Sequence, residues 1–122
     1  MATTTAETNI IEFLHDKVDS FVKWDLMRFF HDNPHTRETA ENIAQYTGRD
    51  MQTIEQELAG LVKVGVLTGK RVSGVMVYTL VEDDNLRQML NDFMEACHDR
   101  QFRVRAIQYV IQGKNYPNRH DV

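Results

Sequence analysis

Cys97-His98-Asp99 places three side chains capable of binding a transition metal next to one another. Successive residues on a helix point about 100° apart, so these three cannot close on one ion without a ligand from another element. Cys97 also falls on an apolar seam, where a thiol acts as a small core residue. No metal site is expected. His31 and His35 straddle Pro34 as a helix end and a turn, and His15 and His120 read as solvated. A nucleophile is no better supported, because neither serine, Ser20 or Ser73, lies in the strand-to-helix elbow that exposes a hydrolase serine. Gly65 to Arg71 has the outline of a phosphate loop, but with one residue too few between its glycines and Arg where Ser or Thr would hold magnesium. The chain reads as a non-enzyme that needs no cofactor.

What the sequence does organise is recognition by helices. From Thr36 to Leu67 the apolar residues fall at Ala40, Ile43 and Ala44, then at Ile54, Leu58, Leu61 and Val62, which is helical spacing interrupted near Gly48. Two short helices are implied, with Thr36 and Asp50 as N-caps and Gly48 and Gly65 where the chain must leave helical geometry. The small Ala40 and Ala44 allow a close, steep crossing of the kind seen in a helix-turn-helix. Val66 to Val81 is rich in β-branched residues with Ser73-Gly74 at its middle, the signature of a hairpin with strands of roughly five to seven residues.

Helix, helix, strand, strand is the order of a winged helix-turn-helix, and the residues resemble that family. The resemblance rests on the alanines of the first helix, the I-x-x-x-L-x-x-L-x-x-x-G-V-L run from Ile54 to Leu67, and the Tyr78-Thr79-Leu80 close of the hairpin. It covers about residues 21–81 and is greatest to small bacterial regulators of the arsenic-repressor and multiple-antibiotic-resistance-repressor type. The resemblance implies a DNA-binding transcription regulator whose 50–64 helix enters the major groove while the 66–81 hairpin touches the backbone. Carried over, Met51, Gln52, Thr53 and Gln56 face base edges, and Arg37, Arg49, Lys70 and Arg71 meet phosphates. Where such proteins carry a Ser-Arg-His-like run, this chain has Glu55-Gln56-Glu57. Carboxylates there give no counterion release, so an alternative stays open: a winged helix that binds protein partners and no DNA.

The remaining elements must hold that motif. Ile10, Phe13, Leu14 and Val18 mark one face of an N-terminal helix over about residues 9–19. The next helix carries Phe21, Trp24, Leu26, Met27, Phe29 and Phe30, too many for one stripe, and is expected at the centre of the core. A pocket between it and the terminal helix could take a small-molecule effector of unknown kind, although aromatics at this spacing serve a core first. After the hairpin, Leu86, Leu90, Phe93, Cys97, Val104, Ile107 and Ile111 follow steps of four and three, close to a heptad seam on one long helix over about residues 84–112. At about 1.5 Å per residue it would extend some 40 Å, more than the domain can cover, so it is expected to join two subunits as a homodimer. The tail from about residue 115 to 122 is expected to be disordered.

The fold class is therefore mainly α with a small antiparallel β-hairpin, a single domain over residues 1–122. The formal charge of −4 does not advertise a polyanion partner. Charge is uneven all the same: residues 100–120 hold five Lys or Arg and no acid. One cysteine and no signal-like or membrane-length apolar run lead to the expectation of a cytoplasmic protein from a reducing compartment.

Overall fold

The computed structural model describes the backbone of residues 5–115 and the side chains of residues 9–112. Six helices and one hairpin follow in the order α1 (Thr5–Lys17), α2 (Phe21–Asp32), α3 (Ala40–Thr47), α4 (Met51–Lys63), β1 (Leu67–Val72), β2 (Val75–Leu80), α5 (Asp84–Ala96) and α6 (Arg100–Asn115). Residues 1–4 and the tail from 116 lie outside the described residues. No helix among the described residues is long and apolar enough to cross a membrane.

Local chemistry sets most boundaries. Ser20 caps α2 by accepting from Lys23 N at 3.0 Å, Asp50 caps α4 by accepting from Thr53 N at 3.0 Å, and Asp83 caps α5 by accepting from Leu86 N at 3.0 Å. Gly48 ends α3 in the left-handed region, φ 72°, which costs glycine no Cβ clash. The cap of α3 is Thr39, not Thr36. Thr39 holds that place because the residue before it, Glu38, bridges to Tyr78 through backbone bonds of 3.1 and 2.8 Å, which extends the chain ahead of α3 along β2. The hairpin turns at Ser73 and Gly74, both at positive φ, and pairs six residues with six.

The core centres on Phe93 of α5. Its ring lies 6.0 Å from Phe13 of α1, 5.3 Å from Trp24 of α2 and 6.4 Å from Phe102 of α6. From α2, Trp24, Leu26, Met27 and Phe30 are buried, and from α4, Ile54, Leu58 and Leu61.

The expected long helix over 84–112 is two helices. The backbone turns at Cys97–Asp99, where Asp99 accepts from Phe102 N at 3.1 Å as a fresh N-cap and Arg103 donates to Cys97 O at 2.7 Å. The turn lets α6 fold back on α1, burying Phe102, Ala106 and Val110. The expected seam is thereby divided. Leu90 and Phe93 are buried within their own subunit, which makes these two core residues, and Leu86 and Cys97 pack half-buried against the same core. Val104, Ile107 and Ile111 remain on the outside, 46%, 37% and 43% exposed. α6 runs on through Gly113 to Asn115.

Candidate nucleic-acid interface

α3, the Gly48-Arg49-Asp50 turn and α4 form one unit in which α4 buries Ile54, Leu58 and Leu61. The opposite face of α4 presents Met51, Gln52, Glu55, Gln56, Ala59 and Lys63 to solvent. Helical spacing makes this a continuous outward strip. Thr53 does not belong to it as a free donor, because its hydroxyl donates to the capping Asp50 carboxylate at 3.2 Å.

Of the two carboxylates at 55 and 57, only Glu55 faces out. Glu57 turns inward to Lys23 of α2, 2.7 Å away, and Lys23 also reaches Asp19 at 2.8 Å. The side chains of Lys23 and Glu57 are 12% and 22% exposed, while that of Asp19 is 73% exposed. Lys23 crosses α4 at Gly60, where an added Cβ would stand 2.9 Å from the lysine Cε. One turn further on, at the C-cap of α4, Lys17 Nζ donates to Val64 O at 2.8 Å, placing a cation at the negative end of the helix. Two lysines from the α1–α2 corner thus fix α4 in place.

Burial pulls the Lys23 ammonium down, but its hydrogen bonds and attraction to Asp19 and Glu57 outweigh this and hold it above the ordinary 10.5. A raised folded-state value stabilises the fold fully below the unfolded value, and that contribution is lost as pH rises through the folded one. Replacing Lys23 with Met leaves Glu57 unpaired and should cost about 1–3 kcal/mol near neutral pH, almost none of it from the exposed Asp19. Urea unfolding of both proteins should show this gap closing above about pH 10.5. A gap that stays open there would mean that packing of the stem, not charge, is what Lys23 supplies.

The expected phosphate contacts separate. Arg49, within the turn, is ion-paired with Asp25 of α2, with both side chains partly exposed. Lys70 and Arg71, adjacent on β1, project to opposite faces of the hairpin. Arg71 shares the α4 side with Tyr78 and donates to Gly74 O at 3.0 Å. Burial raises the Tyr78 hydroxyl, Glu55 raises it further and Arg71 lowers it, so both charges stand near that ring. Lys70 lies on the far face, in an open groove of about 700 Å³ with Arg37, Thr68 and Thr79. Arg37 and Lys70 are therefore brought together, away from Arg49.

Two surface residues escaped the sequence reading. Tyr46 is 74% exposed at the end of α3, its ring 5.2 Å from Phe29. Its signal was an aromatic out of phase with Ala40, Ile43 and Ala44. Lys63 adds an exposed cation to the last turn of α4. Among the described residues no group of three or more His, Cys, Asp or Glu could hold a metal ion. Cys97 packs against the core and burial pushes its thiol up, partly offset by Arg28 and Arg103.

No family model matches the sequence, and no curated protein matches it. Among solved structures the chain is similar to the AntR antimony-specific transcriptional repressor, with 19% identity over 72% of this chain and 77% of that one, at a TM-score of 0.55. A possible transcriptional regulator from Methanosarcina mazei Go1 aligns at 17% identity over 77% of this chain and 81% of that one, TM-score 0.49. The helix-turn-helix, the hairpin after it and the likeness to AntR agree on the architecture: this chain is a winged helix, mainly helical, with one antiparallel hairpin as its wing.

Proposed function

We propose that this chain is a DNA-binding transcription regulator that works as a homodimer, with α4 in the major groove and the β1–β2 hairpin against the backbone. The observation that carries the reading is the inward turn of Glu57 onto Lys23. It leaves Glu55 as the one carboxylate on the outward strip of α4, beside the amides of Gln52 and Gln56 and the cation of Lys63. Such amides suit adenine edges, a carboxylate can accept from cytosine N4, and Met51 suits a thymine methyl. Arg71 on the α4 side and Arg37 with Lys70 on the far side give the wing cations for two phosphate backbones. The exposed Val104, Ile107 and Ile111 on α6 are the dimer contact, pairing two copies so that two α4 helices meet two half-sites. A fold of this kind hosts many functions, so the site carries the argument.

The rival is a winged helix that holds a protein partner, favoured by the chain's net charge of −4 and by Glu55 at the centre of the strip. Fluorescence anisotropy with a pool of random duplexes at low salt separates the two. The regulator binds, with two chains per duplex by light scattering, and loses affinity steeply as salt rises. No binding at low salt hands the fold to the rival.

A further inference from the structure

The outward face of the hairpin is apolar where water would favour polar side chains. Gly69 and the buried Tyr78 pair on the inward face, so Lys70 with Val77, and Val72 with Val75, pair on the outward one. Val72 and Val75 are 49% and 50% exposed, and Val77 is half-buried. A hairpin seated on a core by one face carries polar residues on the other, so three neighbouring valines there form a face without a partner. Glu38 bridges antiparallel to Tyr78, which sets Arg37 beside Thr79 in the place of a third strand. Lys70 and Arg37 therefore stand on opposite rims of a floor two strand spacings wide, about 10 Å, and the length of β2 extends it about 20 Å. Val72, Val77, Arg37 and Lys70 line one open groove of about 700 Å³. Its remaining charges cancel, because Glu82 lies 3.3 Å from Arg87. The acids around it stand outside the lining: Glu38 accepts from Asn42 Nδ2 at 3.0 Å, Asp83 caps α5 and Asp84 is in that helix's first turn. Arg37 and Lys70 make no hydrogen bond or ion pair among the described residues.

We propose that this face docks an acidic amphipathic helix of a partner protein, its apolar stripe on the valines and its flanking carboxylates on Arg37 and Lys70. The floor is as wide as a helix with its side chains, about 10–12 Å, and about 14 helical residues span its length. An apolar strip between two cationic rims is the complement of an apolar stripe between two acidic flanks. A phosphate backbone would satisfy the rims and leave the valines in water, so the floor selects a protein. Arg37 and Lys70 are also the cations assigned above to phosphate, and they cannot serve both partners at once. The docked helix therefore competes with duplex for the wing. This competition rests on the regulator reading; the docking does not.

The probe is a fluorescein-labelled, amidated helix of 14 residues with one leucine stripe, glutamate along both flanks and alanine elsewhere, followed by anisotropy on the full chain. One counterpart carries lysine for every glutamate, and another carries glutamine for every leucine. The acidic helix should bind saturably, the glutamine form about tenfold more weakly or worse, and the lysine form not at all. Val72→Thr with Val77→Thr keeps the β-branched shape of the strands and should weaken the acidic helix about tenfold. Arg37→Glu with Lys70→Glu should abolish its binding and admit the lysine form. Acidic and lysine helices titrating alike, no saturation, or a threonine variant that binds as tightly as the parent overturns the docking. No saturation together with weaker duplex binding by the threonine variant gives the face to nucleic acid instead. With labelled duplex bound, unlabelled acidic helix should displace it, and the threonine variant should need about tenfold more peptide. Normal docking without displacement overturns the competition. Normal docking with no duplex binding at all removes the regulator reading and leaves the docking face standing.

Discussion

Alanine in place of Phe93 should cost about 3–5 kcal/mol of unfolding free energy, a large share of the roughly 5–15 kcal/mol that holds a typical domain folded. The size follows from where the ring stands. It is fully buried, and it touches one aromatic from each of α1, α2 and α6. Truncation removes the transfer energy of a phenyl group and opens a void that four separate helices would have to shrink together. Leucine at the same position keeps much of the volume and should cost about 1 kcal/mol, the usual scale of a conservative core exchange. Urea unfolding followed by far-ultraviolet circular dichroism measures both. If alanine costs less than leucine is expected to, the aromatic cluster is not the keystone of the α1–α2–α5–α6 packing.

The second large effect falls on binding and leaves the fold alone. Gln52→Ala combined with Gln56→Ala should weaken duplex binding by about 2–6 kcal/mol, roughly thirtyfold to twenty-thousandfold, if each amide makes one good base contact. Both positions are exposed and alanine favours the helix, so the melting temperature should hold or rise slightly. The companion Glu55→Gln removes the outward carboxylate and should tighten binding to random duplex. A double alanine variant that binds as well as the parent would place the reading surface away from α4. If Glu55→Gln weakens binding, that carboxylate reads a base instead of repelling phosphate.

Much of the architecture was legible because it is written in short range. The Ile54, Leu58, Leu61 spacing, the Asp50 cap and the Ser73-Gly74 turn each depend on residues a few positions apart, and each stands where the sequence placed it. What sequence spacing could not reveal are partnerships across the fold. Glu57 looked like a charge on the reading face until Lys23, thirty-four residues earlier, was found against it. Arg49 looked like a phosphate ligand, and it is held by Asp25. The heptad from Leu86 to Ile111 fits a straight helix and a broken one alike, because the period says nothing of direction. Asp99, three residues before Phe102, was the local sign of the break. Thr36 and Thr39 offered the same capping oxygen, and only the bridge from Glu38 to Tyr78 selected between them.

The attachment of α4 at Gly60 and at Val64 has a consequence for how this surface can change. Lys23 and Lys17 grip the helix from behind, through Glu57 and a main-chain oxygen, and neither uses a side chain from the outward strip. Positions 51, 52, 55 and 56 can therefore be rewritten freely while the mount stays as it is. Randomising those four codons makes a library in which vocabulary varies and grammar does not, a ready scaffold for selecting new target preferences.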